Sequence, residues 1–376
     1  KHKRITFENM KLVKFAFILC SLSVVLFSCK PDNDIDPIDP VYTDTTMFFP
    51  PADPGVWETI NPKDLNWDIA KINSLKTYLK NKKTKGFIIL KNGKIVVEEY
   101  LNFHTKNANW NWYSAAKSLT STMVGIAESE GKIHLDSSTS TYLGKNWSSL
   151  TDTQEVAIRV KHHLSMSTGL KNPINDLNQW TCTQKHCFNY EAPANSRWAY
   201  YQGGFTLTQN VITAATGTNF KQYGKTKIQD KIGMNGSWNT IFELNIFSST
   251  TRSMARFGLL ALNKGVWNGE TIYPSTYHNT MIQSSQDMNK AYGYLWWLNG
   301  KDGFLGTKDQ TQYNGYLIPN GPADMFCALG AQDQKIYVVP SQNLVVIRMG
   351  EPAGNSEFAA SSFDNELWGK LNEIFP

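Results

Sequence analysis

The sequence has no surplus of either charge once its first 29 residues are set aside. Those residues hold five of the 37 lysines and arginines (Lys1, Lys3, Arg4, Lys11, Lys14) against one acid, Glu8, which leaves 32 basic and 31 acidic side chains in the rest. Such a chain lacks the clustered cations that displace counterions from phosphates, so nucleic-acid binding is set aside. Long apolar runs are also missing: residues 15–27 form one of 13 residues, short of the ~20 that a membrane-spanning helix needs. There is no repeat at solenoid or propeller spacing, no P-loop, no His-Glu-x-x-His and no Gly-x-Ser-x-Gly elbow, which removes the corresponding architectures and chemistries from consideration. What is present is 41% hydrophobic residues in a chain of 376. That suffices for a large core, and at ~150 residues per domain it suggests two or three compact units.

The short apolar run follows Met10, Lys11 and Lys14 and ends in Leu26-Phe27-Ser28-Cys29. A basic start, an apolar stretch and a small residue before cysteine form an export signal, and the last four residues resemble a bacterial lipobox. The resemblance implies cleavage before Cys29 and a lipid on its thiol, hence a membrane-anchored lipoprotein, periplasmic or at the outer membrane and cell surface. Residues 30–55 interleave Asp32, Asp34, Asp36, Asp39 and Asp44 with Pro31, Pro37, Pro40, Pro50, Pro51 and Pro54. Such a stretch has little apolar surface to offset its conformational entropy and is expected to be a solvated tether, with the folded body starting near Val56. Cys182 and Cys187 close a short loop, and in an exported protein they are expected to form a disulfide. His186 beside them raises a metal site, but no fourth ligand stands at usable spacing. Cys327 lies in an apolar run and reads as a core thiol.

Residues 86–90 and 95–100 flank Asn92-Gly93, a strong hairpin signal between β-rich runs. Residues 325–330, 335–339 and 344–349 read as three further strands, and residues 359–375 as an amphipathic helix over that sheet. The middle is richer in helical periodicity, as at residues 251–262. The expected fold is α+β within the α/β class: one antiparallel sheet built from both chain ends (about 56–139 and 311–376), flanked by helices, with a mainly helical insertion at about 140–310.

The most informative segment is Trp112-Tyr113-Ser114-Ala-Ala-Lys117. Leu119, Met123, Ile126 and Ala127 recur at helical spacing after it, so Ser114 stands at a helix start and Lys117 one turn on, on the same face. A serine hydroxyl needs a base as it attacks, and a lysine serves only if burial brings its pKa down toward neutrality. A Ser-x-x-Lys alone is weak evidence; Ser129-Glu-Gly-Lys132 matches too.

Further segments carry a resemblance to the class C β-lactamase-like serine hydrolases, which include penicillin-binding proteins, esterases and amide hydrolases. They are Glu130-Gly-Lys-Ile-His-Leu-Asp136, His163-Leu-Ser-Met-Ser-Thr-Gly-Leu170, Arg197-Trp-Ala-Tyr-Tyr-Gln-Gly-Gly-Phe205, Arg252-Ser-Met-Ala-Arg-Phe-Gly258, Tyr292-Gly-Tyr-Leu-Trp-Trp297 and Gln334-Lys-Ile-Tyr-Val-Val-Pro340. The resemblance implies a β-lactamase/transpeptidase-like fold, Ser114 as nucleophile, Lys117 as base and Tyr200 as proton relay, with Gln202 where relatives carry Asn or Ser. A third motif falls on Ala328-Leu329-Gly330, and would make the amides of Ser114 and Ala331 the oxyanion hole. Its usual cation is replaced by Ala328, which favours a neutral ester or amide over β-lactams and peptidoglycan stems.

Trp112, Tyr113, Gln202, Tyr294, Trp297 and Gly330 are the candidate substrate-binding residues. His162 and His163 sit in a segment that is structural in relatives, and Arg252 and Arg256 read as ion-pair residues. The expected partners are a small ester, amide or peptide substrate, and a membrane through the lipid anchor only; no cofactor or metal is implied. Two rival readings stand beside this one: a β-lactamase or D-alanyl-D-alanine carboxypeptidase, and a non-catalytic binder of cell-wall or glycan fragments.

Overall fold

The computed structural model describes residues 44–52, 56–241, 243–308, 310–355 and 360–376. The expected export signal, Cys29 and most of the expected tether lie outside them. Six strands form the main sheet: β1 Thr84–Lys91, β2 Lys94–Tyr100, β3 Trp297–Leu298, β4 Phe326–Gly330, β5 Gln334–Val339 and β6 Leu344–Gly350. Their spatial order is β2-β1-β6-β5-β4-β3, and every neighbouring pair is antiparallel. The mixed α/β architecture with a sheet from both chain ends is as expected. One strand differs: β3 comes from the stretch assigned to the helical insertion. With two residues, it is too short to show any alternation.

Period-two alternation of side chains gives the sheet two buried faces. One face takes helix Thr251–Leu262, where a Cβ on Gly258 would lie 2.6 Å from Val345 Cγ1 and 3.2 Å from Ile336 Cγ2. A glycine is required there for the helix to approach the sheet so closely. Its place in the chain groups this helix with the insertion, but its packing assigns it to the sheet. The opposite face takes helix Ser362–Asn372, whose Trp368 meets the Tyr337 ring edge-on at 5.6 Å.

That second interface also buries ions. Lys335 Nζ lies 2.7 Å from Asp364 and 3.2 Å from Asp333, and the Tyr337 hydroxyl donates to Asp364 Oδ1 at 2.6 Å. Arg348 caps the carbonyls of Gln332 and Asp333 at 2.9 and 3.0 Å.

The folded body begins before Val56. Phe48 N donates to the Asn92 carbonyl at 2.9 Å, Met47, Phe48 and Phe49 pack on the core, and the Arg256 guanidinium donates to the carbonyls of Pro50 and Pro51 at 3.0 and 2.6 Å. Composition averaged over prolines and aspartates conceals this apolar triplet. Arg256 therefore satisfies backbone oxygens rather than a carboxylate, whereas Arg252 does pair with Glu98, at 2.6 Å.

The rest of the body centres on helix Ala116–Ser129, buried on all sides from Ala116 to Ala127. Helix Gln202–Thr216 packs beside it. A continuously buried helix has no solvent face to tolerate polar residues unless they are satisfied. Its polar members are accordingly engaged: Ser118 Oγ donates to the Leu295 carbonyl at 2.7 Å, and Thr122 to that of Ser118 at 3.1 Å.

Candidate active site

The chain reaches Ser114 through a pinned and contorted approach. Trp112 is completely buried; its backbone N–H donates to the Phe247 carbonyl at 2.8 Å and its indole N–H to Ser249 Oγ at 2.8 Å. Tyr113 then adopts φ 48°, a left-handed conformation unfavourable for an aromatic residue, which persists only where the surroundings over-determine it. A 3₁₀ turn, Tyr113–Ala115, leads into the central helix. Ser114 thus stands at the N-terminal end of a buried helix, whose dipole and free amides favour negative charge.

Lys117 is buried, and its Nζ donates to Ser114 Oγ at 3.0 Å and to Gln202 Oε1 at 2.5 Å. It lies 4.9 Å from the ring centre of Tyr200 and 4.7 Å from that of Phe205. These neighbours are all neutral, so no counter-charge offsets the desolvation of an ammonium, and burial brings the amine down to about 7. Tyr200 lines the same cavity as Ser114, and burial holds its phenol well above the ordinary value, so it stays protonated at neutral pH. The arrangement can therefore take a proton from Ser114 at one nitrogen and present a phenolic O–H beside the same oxygen.

The wall opposite is the end of β4. A Cβ on Gly330 would lie 2.2 Å from the Trp112 carbonyl and 3.0 Å from the Ala115 amide, so only glycine lets this strand reach the turn that carries Ser114. Gln332 and Asp333 follow at φ 59° and 60°. Their strain is held by Gln334 Nε2, which donates to the carbonyls of Ala331, Gln332 and Gly350, and by the Asp333 carboxylate, which accepts from Ser361 Oγ at 2.6 Å and the Ala353 amide at 2.8 Å. Ala331 is set in the same space as Ser114. Ala328 is buried within β4 and places no charge there.

Two cavities open at Ser114, and both are also lined by Ala331 and Trp180. The larger, about 410 Å³, is walled by Tyr200, Ile174, Leu177, Leu329, Gly330 and Pro352, with Lys308 and Asp333 among its polar members. The smaller, about 130 Å³, is walled by Lys117, Gln202, Phe205, Tyr113, Trp238 and Ile246.

Of the expected substrate-binding residues, Tyr113, Gln202 and Gly330 line these spaces; Trp112, Tyr294 and Trp297 do not. The Trp112 side chain is core. Trp297 stacks behind Tyr200 at 6.1 Å and supports that ring from the far side. Tyr294 packs on Tyr277 at 6.4 Å, away from both cavities. Flanking a motif does not distinguish an aromatic that faces a cleft from one that props it.

The sequence reading missed Trp180, which touches both cavities and donates from its indole N–H to the Tyr200 carbonyl at 3.3 Å. The signal available was its position two residues before Cys182. That cysteine is joined to Cys187 in a disulfide, which occupies both thiols that His186 would have needed for a metal. His163 bridges Thr139 and the Gly204 carbonyl at 2.9 and 2.8 Å, a structural role. Cys327 is buried in β4.

A sheet from both chain ends, with a serine beside a buried lysine at the start of its central helix, defines a serine hydrolase class. The Beta-lactamase family model matches residues 81–360, and the chain belongs to that family. A curated relative, an uncharacterized protein of Alkalihalophilus pseudofirmus, is 27% identical over 308 residues, covering 72% of this chain and 84% of that protein. Solved structures agree in fold. A Bacillus anthracis candidate 6-aminohexanoate-dimer hydrolase superposes with TM-score 0.62 at 21% identity, over 88% of this chain and 87% of its own. A family VIII carboxylesterase superposes at 0.62 and 13%, over 85% and 99%; a Bacillus halodurans penicillin-binding protein at 0.58 and 14%, over 79% and 98%.

Proposed function

We propose that this serine hydrolase is an exported lipoprotein, anchored through Cys29, that cleaves a neutral ester or amide through an acyl-enzyme. Ser114 attacks the carbonyl, Lys117 accepts its proton, Tyr200 passes a proton to the leaving group, and the amides of Ser114 and Ala331 receive the oxyanion. Water then releases the acyl group by the same relay run in reverse. The observation that carries the reading is the Lys117 amine, buried 3.0 Å from Ser114 Oγ with neutral partners: a lysine so placed is a base rather than a counter-ion. Buried Ala328, in place of a cation, supports a substrate without a carboxylate at that position. The fold likeness to proteins described as a carboxylesterase and a 6-aminohexanoate-dimer hydrolase is consistent with either bond. Export is supported by the sequence from Met10 to Cys29 and by the disulfide, which persists in oxidising compartments.

A fluorophosphonate probe followed by peptide mapping tests the mechanism. A single adduct on Ser114, lost in Lys117→Ala, is expected; full esterase activity in Ser114→Ala would overturn it. Incorporation of labelled fatty acid that disappears in Cys29→Ser tests the anchor.

A further inference from the structure

We infer that the site is divided by function as well as by shape: the small cavity takes a compact acyl group and the large one an extended, mainly apolar leaving group. This rests on the acyl-enzyme reading above and assigns its substrate class, an ester or amide with a short acid half and a bulky alcohol or amine half.

The argument starts from where a proton must be delivered. When Ser114 Oγ bonds to the carbonyl carbon, the bond from that carbon to the leaving oxygen or nitrogen breaks, and the departing atom must gain a proton. The proton that Ser114 loses goes to Lys117; the Tyr200 O–H, in the same cavity as Ser114, supplies the leaving atom and is replenished from Lys117, whose Nζ lies 4.9 Å from the Tyr200 ring centre. Tyr200 lines the large cavity and is not among the residues lining the small one. The leaving group therefore departs on the Tyr200 side, toward Ile174, Leu177, Leu329 and Pro352. The acyl group stays on Ser114 and is left with the space between Phe205, Trp238 and Ile246.

Volume then sets the limits. The small cavity, about 130 Å³, is near the size of a 150 Å³ protein cavity that holds one benzene, so it seats an acyl chain of about six carbons or fewer. The large cavity, about 410 Å³, lies in the range of sites for ordinary small-molecule ligands. Its rim carries Leu177, 67% exposed, an apolar side chain on the mouth that a bulky apolar group would cover.

Two ester series separate the halves. In p-nitrophenyl esters the leaving group is constant, and kcat/KM should fall at least tenfold from butanoate to dodecanoate. In acetates of primary alcohols the acyl group is constant, and kcat/KM should rise at least tenfold from ethyl acetate to 2-(2-naphthyl)ethyl acetate. Ile246→Ala should move the break in the first series to longer chains. Long acyl chains outpacing short ones, a flat alcohol series, or a break unmoved in Ile246→Ala would each overturn the assignment while leaving the hydrolase intact. Fluorophosphonate labelling of the same samples keeps the two readings apart. Label on Ser114 with neither series turned over defeats the pocket assignment alone; no label and no turnover defeats the acyl-enzyme reading beneath it.

Discussion

The protein buries two lysines in its core and uses them in opposite ways. Lys335, in the sheet, is fully covered and sits between two carboxylates, Asp364 at 2.7 Å and Asp333 at 3.2 Å. Lys117, in the central helix, is 3% exposed and meets a serine, a glutamine and two aromatic faces. Burial is the same; the difference is the presence of negative charge. A buried lysine between carboxylates is part of a structural ion pair. A buried amine with neutral partners gives up its proton near neutrality and becomes a base. Degree of burial alone, then, does not reveal what a buried lysine does.

One substitution made at both places gives the sharpest contrast. Lys117→Met removes the proposed base, and kcat should fall roughly 1000-fold, within the range of acid–base contributions. The same change should stabilise the fold. The wild-type amine, lowered to about 7 when folded against 10.5 when exposed, binds fewer protons folded than unfolded between those values. Wild-type stability therefore rises with pH across that window, and below it the desolvated cation is a standing cost. After an allowance for the orphaned Gln202 oxygen, Lys117→Met should gain roughly 2 kcal/mol at pH 6, shrinking toward pH 10. Denaturant melts at the two pH values check the sign; a loss of stability at pH 6 would break the contrast.

Lys335→Met should do the reverse. It strands Asp333 and Asp364 without their cation, and removing one member of a buried ionic group costs about 3–5 kcal/mol. Because Asp333 closes the strained turn after Ala331, the folded fraction should also show a lower kcat with KM little changed, as expected if the Ala331 amide is the proposed oxyanion donor. Equal stability of wild type and variant would mean that Arg348, which caps the same turn, holds the cluster alone.

The contrast is only half legible in the sequence. Ser114 and Lys117 stand out because one helical turn separates them, and the hairpin because Asn92-Gly93 marks it; both are local relations that spacing encodes. The neutrality of the Lys117 surroundings is not local, since Gln202 and Phe205 arrive from a helix more than eighty residues away. The cavity walls are hidden for the same reason: Ile174, Trp180, Trp238 and Ile246 belong to segments without a motif of their own for a cleft and meet only when the chain folds. Trp112, Tyr294 and Trp297 mislead in the opposite direction. An aromatic next to a motif looks identical whether it faces the cleft or stands behind it. Even the start of the body is blurred, because the prolines and aspartates around Met47, Phe48 and Phe49 make an anchored strap resemble a tether.

The finest test converts one lysine environment into the other. Gln202→Glu replaces the amide oxygen that accepts from Lys117 at 2.5 Å with a carboxylate of nearly the same size. On the proposed mechanism the active species in wild type is the free amine, so kcat/KM should rise about tenfold per pH unit below 7 and level off above it. In the Gln202→Glu variant, the charged lysine gains the partner that Lys335 already has, and its pKa moves up. The ascending limb should shift to higher pH by about one to three units, the range for an opposite charge in direct contact. The alkaline plateau should fall less than in Lys117→Met, because the base is still present and needs only to lose its proton. An ascending limb that stays near 7 would show that the rate follows some other group, and the distinction between the two lysines would then lose its chemical meaning.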